Sequence, residues 1–127
     1  MKRTMGGRRN RIRLDFDACS VTAFLEDTAC SAAFAELLPL SLTAYCTGAA
    51  LCAAMPCTLP IDDEAVHRGW CNGDIAYNPA GGWLSVLIGD EENSLRYGDQ
   101  VTLGHIEGDF EALRTLEGRQ TLRVTLA

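Results

Sequence analysis

Apolar and polar residues alternate along most of this chain. From Arg11 to Asp17 the apolar side chains Ile12, Leu14 and Phe16 share one face, and Arg11, Arg13, Asp15 and Asp17 share the other. That period of two predicts a half-buried strand. The same pattern returns at Val21–Glu26, Leu40–Cys46, Asp74–Asn78, Gln100–Ile106 and Gln120–Leu126. In the last of these Leu122, Val124 and Leu126 are expected to face inward. Ala50–Met55 is a small apolar strand that Pro56 ends. Trp83–Ile88 differs, being apolar everywhere except Ser85. A strand apolar on both faces is covered on both faces, so it is expected to run through the middle of the protein. It forms the return arm of a hairpin with Asp74–Asn78. Pro79 presets the turn, and Gly81 and Gly82 are candidates for the positive φ that a reversal needs. Gly104, inside its strand, predicts a bulge or a close backbone approach.

Two segments change to helical spacing. Cys30, Ala33, Phe34 and Leu37 form one apolar stripe, with Asp27 or Thr28 as cap and Pro39 as stop. Phe110, Leu113 and Leu116 form a second, shorter one between Asp109 and Gly118. The longest connection, Pro56 to Gly73, spans eighteen residues. Loops of that length in small domains often carry function. Within it Asp62–Gly69 predicts a turn or two of helix, acidic at its start, with His67 and Arg68 at its end. The acids lack the spaced oxygen ligands and central glycine of a calcium loop. Trp70, just beyond, reads as a buried anchor for the loop. Eight strands of this length can close into a barrel whose interior side chains just fill it, and closure removes exposed edges.

Composition narrows the function classes. At 127 residues, with 47% apolar and 22% charged content, the chain fits one globular domain. No apolar run reaches the length of a membrane helix. The basic N-terminus lacks the apolar core of a secretory signal, so a cytoplasmic location is expected. Six of the eleven basic residues lie in the first thirteen positions, and all seventeen acids follow from Asp15 onward. The leader thus carries +6 and the body −12, giving the formal net charge of −6. So acidic a body repels phosphate backbones, which argues against nucleic-acid binding by the domain. Residues 1–10 read as a flexible basic arm that pairs loosely with the acidic surface; residues 11–127 are the domain.

The six cysteines, Cys19, Cys30, Cys46, Cys52, Cys57 and Cys71, include no C-x-x-C pair, and the chain has only two histidines, His67 and His105. This is not the pattern of a structural zinc site. Without a signal sequence the cysteines are expected to be free thiols, mostly buried as small apolar side chains. Cys71 follows His67 by four residues in a loop, which makes it the one candidate reactive thiol. His105 would need a carboxylate within reach to act as an acid or base. No cofactor is predicted.

The ordered set of motifs resembles the small prokaryotic cyclophilin-like barrel proteins. The matches are Phe34-Ala-Glu-Leu-Leu-Pro-Leu-Ser-Leu-Thr43, then Gly73-Asp-Ile-Ala-Tyr77 with its Pro79–Gly82 turn and apolar return strand, then Leu103-Gly-His-Ile106 with its acid-capped helix and final strand. The resemblance implies a mainly β fold, a closed eight-stranded cyclophilin-like barrel with two short capping helices. Most members of that group have no established activity. Proline isomerisation wants an arginine directed at the prolyl nitrogen beside an aromatic-walled pocket, and no matching cluster stands in the sequence, so no catalytic residue is assigned. Met55, Arg68, Trp70, Arg96, Tyr97 and His105 are the candidate ligand-binding residues. The expected function is a non-catalytic binding module for a small molecule or peptide, seated in an outer groove between residues 56–70 and 91–97. The alternatives are a weak isomerase or other enzyme, and a dimerising interaction domain. Monomer and homodimer both remain open.

Overall fold

The computed structural model describes residues 11–127. The basic arm lies outside them. Nine strands follow in chain order: β1 (Arg11–Asp15), β2 (Ser20–Leu25), β3 (Leu40–Cys46), β4 (Ala50–Ala54), β5 (Val66–His67), β6 (Asp74–Asn78), β7 (Trp83–Leu87), β8 (Gln100–Glu107) and β9 (Arg119–Leu126). They pair in the order β2-β1-β9-β3-β4-β7-β6-β8, and β2 pairs again with β8, which closes the barrel. Every pairing is antiparallel. β5 is the strand added to the expected eight.

β5 has a clear physical role. On the side of β8 away from β6, β2 covers only Gly104–Glu107. The start of β8 would be left as a bare edge, and Val66 and His67 pair with Val101 and Gln100 there instead. Asp62–Gly69 is accordingly not the expected helix. It is one 3-10 turn, Asp63–Ala65, capped by the Asp62 side chain and passing straight into β5. The demand of an open sheet edge outweighs local capping signals.

Inside the barrel Ile12, Leu14, Ala23, Ala44, Ile75, Tyr77, Leu84, Val86, Leu103, Leu122 and Val124 are all essentially inaccessible. These are the inward positions of the alternation. Leu126 is the exception, 58% exposed at the last position of β9. Among the described residues there is one α-helix, α1 (Ala29–Glu36); Thr28 caps it by accepting from the Ser31 N–H, and Phe34 points fully into the core. The Ser31 hydroxyl donates to the Leu103 carbonyl and fastens α1 to β8. The second expected capping helix is a 3-10 helix, Glu111–Thr115, with the Asp109 carboxylate accepting from the Glu111 N–H and Leu113 buried. A further 3-10 helix, Glu91–Arg96, occupies the polar loop before β8.

Both glycine expectations in the sheet have outcomes. In the β6–β7 turn only Gly82 takes a positive φ, +71°. At Gly104 β8 shifts register against β6, and a Cβ there would lie 2.1 Å from the Phe24 carbonyl oxygen on β2. The bulge and the close approach are the same feature.

β7 is covered on both faces, as its composition predicts. Leu84, Val86 and Ile88 belong to the interior core. Leu87 faces outward and packs with Ala50, Ala76 and Trp70 in a second, external cluster. That cluster positions the site.

Candidate functional site

The long connection does not stay near the strand it leaves. Beyond β5 it carries Trp70 onto the outer face of the sheet, over β4, β7 and β6. The Trp70 amide N–H donates to the Ser94 hydroxyl, and its indole N–H donates to the Gly89 carbonyl. The Ser94 hydroxyl in turn donates to the Glu91 carbonyl. One buried serine thus ties this loop to the 3-10 helix before β8, and the same helix delivers Tyr97. The Trp70 and Tyr97 rings meet with centroids 5.0 Å apart and planes tilted by 33°. The Tyr97 hydroxyl donates to Asp90 Oδ2 at 2.6 Å. Hydrogen bonds from Tyr97 and Asn93 lower the Asp90 pKa, and the same bond to Asp90 raises that of Tyr97.

Between these loops and the β6–β7 turn lies a groove of about 470 Å³. Period two explains its floor: Ala50 and Cys52 on β4 and Ser85 on β7 are outward positions, all small, with Cys52 opposite Ser85 in the ladder. The Cys52 Sγ and Ser85 Oγ are 3.5 Å apart. Trp83, 40% exposed, lines the groove together with Trp70 and Tyr97. These two tryptophans are the only ones in the chain. Gln100, at the start of β8, completes the wall. It is 5% exposed, and its Oε1 has no hydrogen-bond partner among the described residues. Among the described residues, no Asp, Glu, Lys, Arg or His lines the groove.

The six candidate residues are not one constellation. Trp70 and Tyr97 come together in the groove. Met55 packs, half-buried, against the interior core. Arg68 is mostly exposed, with Asp99 3.6 Å away. Arg96 ends the loop helix and does not line the groove. His105 lies elsewhere, beside a second cavity of about 540 Å³ where β8 passes from β2 to β5. The two residues the candidate set lacks are Trp83 and Gln100. The double apolar character of β7 pointed to Trp83, because an outer face covered at Leu87 continues through Ser85 to Trp83. For Gln100 no comparable signal exists; an outward glutamine at a strand start is ordinary.

His105 has the carboxylate it needed, and a second one. Its Nδ1 is 2.8 Å from Asp74 Oδ1, and its Nε2 is 2.8 Å from Glu26 Oε2. Burial alone would lower its pKa, but the hydrogen bonds and charges of Glu26 and Asp74 outweigh burial and raise it. With both nitrogens engaged, the ring has none left for a substrate. His105 is a staple joining the end of β2 to β6 and β8.

The thiols are all unpaired. Burial pushes the Cys19, Cys30 and Cys46 thiols up. His67 does not face Cys71 as a base; its Nε2 is 2.8 Å from Thr102 Oγ1 and its Nδ1 is 3.4 Å from the Arg68 carbonyl. Among the described residues, no cluster of His, Cys, Asp and Glu could hold a metal ion, and no helix is long and apolar enough to cross a membrane.

A model of the cyclophilin-like family matches residues 14–127. No curated protein matches the chain. Among solved structures, the solution structure of a hypothetical protein from Archaeoglobus fulgidus is similar, with a TM-score of 0.76 at 20% identity, covering 95% of this chain and 97% of the other. At that identity the likeness concerns the fold.

Proposed function

The chain belongs to the cyclophilin-like family, and from that premise we propose that it is a binding module whose outer groove takes an uncharged small molecule or peptide. One observation carries this reading: both tryptophans and Tyr97 converge on a single apolar groove outside a fully packed barrel. Ligand sites are typically concave and apolar with few polar groups, and this groove fits that description. Its volume falls in the range of small-molecule pockets, about 300–1,000 Å³.

Binding without chemistry is the better reading of the same residues. Proline isomerisation would need an arginine beside the apolar slot. Arg68 stands near Asp99, and neither it nor Arg96 lines the groove. His105 is spent on two carboxylates. Fold alone is no argument for the isomerase activity.

The test uses the two tryptophans as reporters. Titrating a library of neutral metabolites and short peptides into the protein should give saturable quenching of tryptophan fluorescence for some member. Trp83→Ala, at an exposed position, should weaken that binding while leaving the melting temperature within a few degrees. Saturable binding that ignores Trp83→Ala would place the site elsewhere. A standard proline-isomerisation assay with a rate above background would overturn the non-catalytic reading.

A further inference from the structure

Resting on that reading, we propose that the groove recognises a flat, uncharged heterocycle bearing a cyclic amide, with adjacent N–H and C=O groups. Four features of the groove lead there. Among the described residues no Asp, Glu, Lys, Arg or His stands in its lining, although the surrounding body carries seventeen acids. A charged ligand would lose its hydration there with nothing to pair it. Its floor of Ala50, Cys52 and Ser85 is low and smooth, which admits a thin ligand close to the sheet. Trp83 and Tyr97 are each 40% exposed, so both offer ring surface to stack on.

The fourth feature sets the polar edge. Gln100 lines the groove, is 5% exposed, and has an Oε1 without a partner among the described residues. A buried acceptor left unmade is costly, and once the carboxamide turns to bring it into the groove an arriving N–H would satisfy it. A carboxamide also carries donors, and a half-turn about its last torsion exchanges oxygen and nitrogen. The complement of a carboxamide is another amide, offering N–H and C=O side by side. Asn78, also in the wall, has its Oδ1 taken by the Gly81 N–H, so its own N–H groups are what it offers to a ligand carbonyl. A proline-containing segment lacks the N–H at its ring and would leave Gln100 unsatisfied.

The experiment titrates the full chain by tryptophan fluorescence with uracil, hypoxanthine and quinazolin-4-one, each beside the analogue methylated on the amide nitrogen. A proline tetrapeptide and the neutral apolar dye prodan are run in parallel. The expected result is saturable binding of at least one unmethylated compound and about tenfold weaker binding of its methylated partner, the size of one hydrogen bond. Gln100→Met should erase that difference, and Trp83→Ala should weaken both members of the pair. Melting curves show whether each variant is folded, and Trp83→Ala serves alone should Gln100→Met fail to fold. Uracil and hypoxanthine binding without quinazolin-4-one assigns a nucleobase edge; all three assign the cyclic amide in general. Equal binding of methylated and unmethylated compounds, or binding of the tetrapeptide alone, overturns the inference. In that outcome the groove still stands as a site provided prodan or the peptide responds to Trp83→Ala. Failure of every probe, prodan included, overturns both.

Discussion

Gln100 is a side chain whose local cost implies a use. A buried acceptor without a partner destabilises a protein by about 1–3 kcal/mol relative to a satisfied one. Replacing it by methionine of similar shape should therefore raise stability by about 1 kcal/mol, read as a higher urea midpoint at unchanged slope. A fall in stability would mean that the carboxamide is satisfied in the native protein. His105 makes the opposite kind of prediction. Its pKa is raised above the ordinary 6.5 by Glu26 and Asp74, against the effect of burial. A raised histidine contributes its stabilisation in full below the unfolded value and loses it as pH climbs through the folded one. The melting temperature should hence decline as pH rises above about 6.5 and through the raised folded value, and His105→Gln should flatten that decline. Sequence reading found the imidazole but not its partners, since Glu26, Asp74 and His105 meet only through the pairing of β8 with both β2 and β6. Long-range register of this kind leaves no local trace.

At the scale of elements, most strands were legible because one face of each is wet and the other dry. The eight expected strands lie within a residue or two of their observed bounds, and Thr28 caps α1. Phe34→Ala should cost about 3–5 kcal/mol by emptying the largest side chain that α1 puts into the core. The misread element is Asp62–Gly69. Its acids and terminal Gly resemble helix ends, yet the β-branched Val66 and its neighbour His67 complete the edge of β8. Gly104→Ala tests the seam from the other side. The added methyl would sit 2.1 Å from the Phe24 carbonyl, so β2 and β8 must part. Overpacking against backbone of this kind should cost about 3 kcal/mol. Urea unfolding would measure it, and loss of exchange protection confined to β2 and β8 would locate it. A near-neutral Gly104→Ala would mean that the closure is looser than the register implies.

At the scale of the molecule, closure decides how copies of the chain meet. An open sheet offers unpaired backbone at its edges as a template for a second chain. Here β2 pairs with both β1 and β8, and β5 covers the remainder of β8. Among the described residues no long strand edge is left for a neighbour to extend. The acidic body adds mutual repulsion between copies. The exposed apolar side chains Phe24, Tyr45, Leu95 and Leu126 stand on β2, β3, the loop helix and β9, and Arg11 covers the Phe24 ring. The groove is the concave apolar surface that remains, and its walls are two loops pinned through Trp70 and Ser94. The chain should accordingly sediment as a monomer at concentrations differing about tenfold at physiological salt, where charge repulsion extends only about 8 Å. A mass that doubles with concentration would point to the groove as its own partner's seat, and Trp83→Ala would then return it to a monomer. The sequence made the barrel readable because period two is a local signal repeated six times. The groove was readable only in part, through Trp70, Tyr97 and the doubly apolar β7. Its remaining walls come from segments far apart in the chain, and only the pairing order of β4, β7, β6 and β8 brings them together.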